Sequence, residues 1–194
     1  MKINFSEISE GVTKYLSIMA YIDPNNDSFK KRFTSVYKIR GRSDDWMIQY
    51  YKYFAELQNQ LDREGTLPTF EEALNEMLVR GGTIEPVYVS KMLSTLDPSR
   101  PLFDKHVLKA MGVSSNFPAK AKTTAQKVKY CVNVYLDIEK FFTNTIRNGL
   151  GVAAIMLFDS KFPASRYPLI SNISEFKKID FILSSVDDKV KLLK

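Results

Sequence analysis

Residues 123–147, TTAQKVKYCVNVYLDIEKFFTNTIR, decide the fold. Apolar side chains recur along this stretch at intervals of three and four residues, the spacing that places them on one face of an α-helix. These side chains are Val128, Cys131, Val132, Tyr135, Ile138, Phe142 and Ile146. Because this is the longest periodic stretch of the chain, we predict that it forms the central helix.

Shorter helical patterns lie on both sides of this helix. Each has the same spacing and is bounded by turn residues such as glycine, proline, serine or aspartate. They predict helices over residues 6–21, 27–40, 43–64, 70–80, 85–96, 102–111, 152–162 and 174–186. No segment shows the sustained two-residue alternation of a β-strand. The sequence therefore predicts an all-α, multi-helix bundle of about eight to ten helices.

Several helix ends carry recognisable signals. Thr69 and Glu72 have the spacing of a capping box, in which each side chain accepts a hydrogen bond from the other residue's backbone amide. Gly41 and Gly112 are placed to end helices, because glycine readily adopts the left-handed conformation found there. Ser6 and Thr83 are candidate caps for the first and fifth helices.

The chain has the length of one domain. A chain of 194 residues buries about 70% of the surface that its unfolded form exposes, so it can be stable without disulfides or metals. We therefore expect residues 1–194 to form a single all-α domain. Its possible lobes are residues 1–68 with the C-terminal helices, and residues 69–148, meeting near the Gly81-Gly82 turn and Asp104.

Composition excludes several classes of protein. The single cysteine, Cys131, and the single histidine, His106, are too few for a disulfide framework, a Cys/His zinc site or an iron–sulfur cluster. We expect no metal and no cofactor. No window reaches the roughly 18 apolar residues of a membrane span, and the first residues lack the apolar stretch of a secretion signal. We expect a cytoplasmic protein with no membrane partner.

The chain is basic, with a net charge of +6 and a pI near 9.2. DNA or RNA is therefore a plausible partner through contacts with phosphates. One acid-free basic window stands out in and after the second helix: Lys30, Lys31, Arg32, Lys38, Arg40 and Arg42. Such a window is more often a solvated helix face than a binding surface.

Residues 80–112 combine features that point to chemistry. A helix is followed by the Gly81-Gly82 turn, a second helix, a proline-containing turn, and then Asp104 at the start of a third helix. An aspartate at that place is favoured by the partial positive charge of a helix N-terminus. On this argument alone, Asp104 is an ordinary first-turn acid.

The same segment resembles the helix-hairpin-helix DNA glycosylase superfamily. In that family a glycine-rich hairpin is followed by a helix and then by a V-D-T-H-V-like stretch that carries the catalytic aspartate. Phe103-Asp104-Lys105-His106-Val107 stands in that place, and Lys109-Ala110-Met111-Gly112 continues it much as family members continue toward a leucine-glycine ending. The resemblance covers about 33 of the 194 residues.

The resemblance implies a function and a set of site residues. Asp104 would stabilise the positive charge that develops on the sugar as a damaged base leaves, or would activate the attacking water. The base would first be flipped out of the duplex. The residues that would contact DNA are Gly81, Gly82, Thr83, Lys91, Lys105 and Lys109.

Two departures from the family pattern narrow this expectation. Ile84 replaces the second glycine of the usual hairpin, and Pro86 stands where the bifunctional branch has its nucleophilic lysine. A monofunctional glycosylase is therefore the expected form of enzyme. Lys91 lies further along the fifth helix. The alternative to a DNA contact is that Lys91 is an ordinary exposed helix lysine.

Other interpretations of the chain stay open. It could be a non-enzymatic helical binding protein, or a regulatory or defence protein with a protein or nucleic-acid partner, because fold does not imply function. A cleft that is large enough for a base, contains Asp104 and is bordered by lysine and arginine would favour the enzyme. We predict that four aromatic side chains of the third helix are core residues: Trp46, Tyr50, Tyr51 and Tyr53. We predict that three charged side chains of the last helix lie on the surface: Lys177, Lys178 and Asp180.

Overall fold

A computed structural model describes residues 3–185, which fold into nine α-helices and one short 3-10 helix without any strand. The predicted all-α bundle is confirmed. The elements are α1 (Phe5–Met19), α2 (Asp27–Val36), α3 (Asp44–Glu64), α4 (Phe70–Gly81), α5 (Pro86–Leu96), α6 (Lys105–Met111), α7 (Thr124–Arg147), α8 (Gly149–Lys161), the 3-10 helix Ile170–Asn172, and α9 (Glu175–Ser184). The predicted end of the last helix, Val186, lies outside the described residues.

The predicted central helix is α7. It packs against α4, α6, α8 and α9, so it contacts helices from both halves of the chain. Val132 and Ile146, which the sequence places in the core, are only partly buried. The fully buried face is Val128, Cys131, Val134, Tyr135, Ile138, Phe142 and Thr145.

An aromatic stack joins α4 to α7. The ring of Phe70 on α4 lies 3.9 Å from the ring of Tyr135 on α7 and 6.3 Å from the ring of Phe103, with all planes within 6°. The Tyr135 hydroxyl donates a hydrogen bond to the carbonyl of Pro101 at 3.3 Å. These contacts fix the segment that precedes α6 against both longer helices.

The buried side chains form two clusters. The larger one contains side chains of α2 to α7 together with Ile18, Ile155, Ile179 and Leu183. The smaller one joins α1 to α8 and α9 around Val12, Phe158 and Phe181. Four aromatic side chains of α3 are core residues as predicted: Trp46, Tyr50, Tyr51 and Tyr53. The lobe boundaries stay a prediction.

The second helix ends earlier than the sequence predicts. α2 stops at Val36, because the carbonyl of Tyr37 turns away to accept a hydrogen bond from α5 and Lys38 adopts a left-handed φ of 52°. Gly41 also has a positive φ, 68°, but lies in the segment that leads to α3. The prediction that Gly41 ends this helix is wrong.

Two predicted helix starts are also wrong, whereas the predicted capping box of α4 is present. The side chain of Asn4, not Ser6, caps α1. Glu85, not Thr83, is the capping residue of α5, and it makes no side-chain hydrogen bond there. Pro86 occupies the first helical position, where a missing amide hydrogen costs little.

Asn148 joins α7 to α8 within one residue. Its extended backbone ends α7, and its side-chain oxygen accepts a hydrogen bond from the amide of Gly151 at 2.8 Å. α8 therefore begins at Gly149, three residues earlier than predicted. Gly151 is buried against the last turn of α7, where an added Cβ would overlap the carbonyl oxygen of Thr145.

We predict that Gly151→Ala destabilises the protein by about 3 kcal/mol, because backbone atoms must move to admit the new methyl group. The matched control is Gly149→Ala in the same helix, where an added Cβ meets nothing within 4 Å. It should leave the free energy of unfolding unchanged or raise it by up to about 1 kcal/mol. Urea denaturation monitored by circular dichroism measures both, and equal effects would contradict the packing described at Gly151.

Candidate functional site

A cleft of about 670 Å³ opens between α1, α5, α6, α9 and the segment that follows α2. Pockets that bind small molecules commonly have this size. Its polar lining includes three residues predicted for the site: Lys91, Asp104 and Lys105. It also includes Lys38 and Arg42 of the basic window, and Glu85, the capping residue of α5.

Asp104 is both a helix cap and a cleft residue. One carboxylate oxygen accepts a hydrogen bond from the amide of His106 at 2.8 Å, so α6 begins at Lys105 rather than at Leu102 as predicted. The side chain is partly exposed and lines the cleft. Lys105 and His106 line the same wall.

A hydrogen bond between α5 and the segment before α6 brings Lys91 and Asp104 into one cleft. The amide of Phe103 donates to the hydroxyl of Ser90 at 2.9 Å. Ser90 precedes Lys91, and Phe103 precedes Asp104, so this contact fixes the segment that carries Asp104 to the helix that carries Lys91. The aromatic stack on Phe103 holds the same segment from its other side.

Lys91 is buried and is not an ordinary exposed helix lysine. Only 9% of the residue is exposed, and its Nζ donates a hydrogen bond to the carbonyl of Tyr37 at 2.8 Å. The amine also lies over the rings of Tyr88 and Tyr37, at 5.2 and 5.8 Å from their centroids. Burial lowers the pKa of Lys91 to about 8, although the negative charge of Asp104 opposes this shift.

Lys177 and Asp180 of α9 form a buried ion pair at the floor of the cleft, with 2.6 Å between Nζ and the carboxylate. The prediction that they are surface charges is wrong. Burial favours the neutral form of Lys177, but the charge of Asp180 outweighs it and raises the lysine's pKa. Lys177 therefore stays charged, and its charge helps to lower the pKa of Lys91.

Arg42 and Glu85 form a second ion pair in the cleft, with 2.7 Å between Nη2 and Oε1. The guanidinium also lies 5.5 Å from the ring of Trp46 and 5.3 Å from the ring of Tyr88. Burial raises the pKa of Glu85, and the charge of Arg42 opposes that rise. Arg42 thus ties the segment before α3 to the start of α5.

The turn between α4 and α5 stands at the rim of the cleft, since Glu85 lines it two residues after Thr83. Gly82 has a left-handed φ of 70°. Gly81 lies so close to Trp46 that an added Cβ would come within 2.5 Å of the indole nitrogen. Both glycines therefore have structural roles. The amides of Thr83 and Ile84 donate no hydrogen bond within residues 3–185.

The predicted site residues thus fall into two groups. Lys91, Asp104 and Lys105 share the cleft. The other four lie outside its lining: Gly81, Gly82, Thr83 and Lys109. Sequence reasoning missed the buried pair on α9, although its lysine and aspartate are spaced for one helix face.

Neither a metal centre nor a membrane-spanning helix occurs in the part of the chain that the structure describes. No group of three or more histidine, cysteine, aspartate or glutamate side chains there could hold a metal ion. No helix there is both long enough and apolar enough to cross a membrane.

Comparisons with known proteins identify no relatives. No protein-family model matches the chain. No curated protein and no solved structure matches it either.

We predict that Lys91 titrates near pH 8 and that Asp104→Asn moves its midpoint lower, because the variant removes a negative charge that favours the protonated amine. Side-chain NMR of protein labelled at lysine measures the midpoint. Asp159→Asn on α8, whose carboxylate pairs with Lys178, is the matched control and should leave it unchanged. A midpoint above 10, or no response to Asp104→Asn, would contradict the cleft electrostatics.

The sign of the related stability effect follows from the same shift. The unfolded chain holds the Lys91 proton up to its ordinary pKa of 10.5, whereas the folded chain releases it near 8. Between these values the unfolded state binds more protons, so the contribution of Lys91 to stability rises with pH. The unfavourable contribution is fully present below pH 8.

Proposed function

We propose that the chain removes a base from DNA by hydrolysing the N-glycosidic bond, with Asp104 as the catalytic carboxylate. The supporting observation is the placement of Asp104 in a cleft of about 670 Å³ that is bordered by Lys38, Arg42 and Lys105. This volume is sufficient for a flipped nucleotide's base and sugar. A helix cap on a convex surface would have argued against an enzyme.

The chemistry requires few groups. The oxygen of a water forms a bond to C1′ of the sugar, and the base leaves with the electron pair of the C–N bond and takes up a proton. Positive charge develops on the sugar as that bond breaks. Asp104 stabilises this charge or accepts a proton from the water. Lys38 and Lys105, which line the cleft, neutralise the flanking phosphates.

The turn between α4 and α5 supports DNA as the substrate. Its Thr83 and Ile84 amides have no partner within the described residues, and Thr83 is exposed. Backbone amides of this kind are common phosphate ligands that position a duplex without reading its sequence. Because the turn stands at the cleft rim, a phosphate bound there would lie beside a nucleotide in the cleft.

We predict that Asp104→Asn lowers the rate of base release by at least about 10²-fold, the usual contribution of such a group. Asparagine caps helices as well as aspartate does, so α6 should remain intact. The assay incubates protein with duplexes that carry uracil, oxidised purines or alkylated purines, and measures the free base. Asp159→Asn carries the same charge change outside the cleft and should retain activity.

Two results would contradict this proposal. One is the absence of base release from every duplex in the panel. The other is base release that Asp104→Asn does not slow, provided that thermal denaturation shows the Asp104→Asn and Asp159→Asn variants to be folded.

A second candidate reaction is favoured by one observation, the buried Lys91 amine with a pKa of about 8 in the same cleft. A desolvated lysine with a lowered pKa has a larger neutral fraction near physiological pH than an ordinary lysine, and the neutral amine is the nucleophile. Its nitrogen would bond to C1′ as the C–N bond to the base breaks, and opening of the sugar ring would leave an imine. Hydrolysis by Asp104 and amine attack by Lys91 thus differ in whether a covalent intermediate forms.

Borohydride separates the two reactions, because it reduces an imine to a stable amine. If Lys91 is the nucleophile, incubation with a duplex containing an abasic site and borohydride yields a covalent adduct, and peptide mapping by mass spectrometry places it on Lys91. No variant is needed, so misfolding cannot confuse the result. An adduct on another amine, or none, would contradict this second candidate.

A further inference from the structure

A second acid-free segment carries the chain's excess of positive charge. Residues 105–136 contain no aspartate or glutamate. Their six lysines are Lys105, Lys109, Lys120, Lys122, Lys127 and Lys129. The whole chain has 28 basic and 22 acidic residues, so subtracting these six leaves 22 of each. The net charge of +6 therefore equals the charge of this one segment.

These lysines lie on α6, on the connection between α6 and α7, and on the first turns of α7. Hydrogen bonds hold the connection in place. The amide of Val113 donates to the carbonyl of Leu108 at 2.8 Å, and the hydroxyl of Tyr130 donates to the carbonyl of Ser114 at 3.2 Å. The lysines are therefore presented by a backbone that is tied to both helices.

Four of these lysines have no acidic partner among the described residues. Each is exposed and forms no ion pair within residues 3–185: Lys105, Lys120, Lys122 and Lys129. By contrast, Lys30 in the first basic window pairs with Asp27, and Arg42 pairs with Glu85. A concentration of unneutralised like charge repels itself and attracts a polyanion.

An exposed aromatic side chain lies among the lysines. Phe117 is 41% exposed. Its ring packs edge-on against Tyr130 at 6.1 Å, and the Lys127 amine lies 5.5 Å from its centroid. Lysines clustered on one part of a surface are typical of nucleic-acid-binding proteins.

The segment is continuous with the cleft. Lys105 lines the cleft beside Asp104, and Lys109 follows one helical turn later. At the start of α7, the Gln126 side chain accepts hydrogen bonds from the amides of Lys122 and Thr123 at 2.9 and 3.0 Å. These two amides are occupied and are not available to bind a phosphate. The positive charge of this surface therefore comes from its lysine side chains.

We propose that these six lysines and Phe117, the lysine surface, bind the phosphate backbone of duplex DNA that extends beyond the cleft. The inference rests on the proposed function in taking DNA as the partner, but it requires no catalysis. Phosphates along a duplex are spaced closely enough to neutralise the lysines of α6, the connection and α7 together.

The test is the salt dependence of binding to a short undamaged duplex, measured by fluorescence anisotropy between about 50 and 200 mM salt. The slope of log K against log salt is negative, and each lost phosphate contact makes it shallower by about 0.9. The triple variant Lys120→Gln, Lys122→Gln, Lys129→Gln should therefore make the slope shallower by about 3 and weaken binding at least about tenfold.

The matched control removes the same charge from other faces. Lys52, Arg147 and Lys161 are exposed on α3, α7 and α8 and form no ion pair within residues 3–185. Their triple glutamine variant should keep the wild-type slope. Equal slopes for the two triple variants would overturn the proposal. So would failure of the wild-type chain to bind the duplex, or tighter binding to phosphatidylserine vesicles than to DNA.

The two proposals fail separately. Duplex binding that depends on the three lysines, without base release, would refute the glycosylase and retain the lysine surface. Base release that Asp104→Asn abolishes, with a slope that the lysine variants leave unchanged, would refute the lysine surface and retain the glycosylase.

Discussion

The stacking of Phe70 between Tyr135 and Phe103 is the contact on which the arrangement of the cleft depends. It fixes how closely α4 packs against the central helix, and it holds the segment before α6 against α4. Phe103 is then fixed on two sides, by the stacked ring and by the Ser90 hydroxyl that its amide contacts. Asp104 is the next residue, so its backbone is held in place by the contacts of Phe103. A packing contact in the core therefore determines where this carboxylate lies in the cleft.

Electrostatics inside the cleft differ from those on the surface beside it. Inside, two buried or half-buried ion pairs are present: Lys177 with Asp180, and Arg42 with Glu85. Lys91 differs from Lys177, because its amine bonds to a carbonyl and not to a carboxylate. Desolvation therefore acts on Lys91 with less compensation than on Lys177, which explains why the pKa values of these two lysines move in opposite directions.

Local signals in the sequence predicted most helices but not the cleft. The periodicity of residues 123–147 and the Thr69–Glu72 box depend on neighbours a few residues apart, so both could be recognised. The end of α2 could not, since it follows from a hydrogen bond between Tyr37 and Lys91. Burial of Lys91 likewise requires distant helices to meet. The lysine surface was within reach of sequence reasoning, because a scan for acid-free windows finds it.

The contact between Gly81 and Trp46 has a consequence for spectroscopy. Trp46 is the only tryptophan of the chain, and its buried indole N–H has no hydrogen-bond partner among the described residues. Its ring stacks on Tyr50 at 5.1 Å, faces the Arg42 guanidinium and touches the turn between α4 and α5. Indole emission shifts with the charge and polarity around the ring. The chain thus contains one tryptophan fluorophore, placed where the turn and the cleft adjoin.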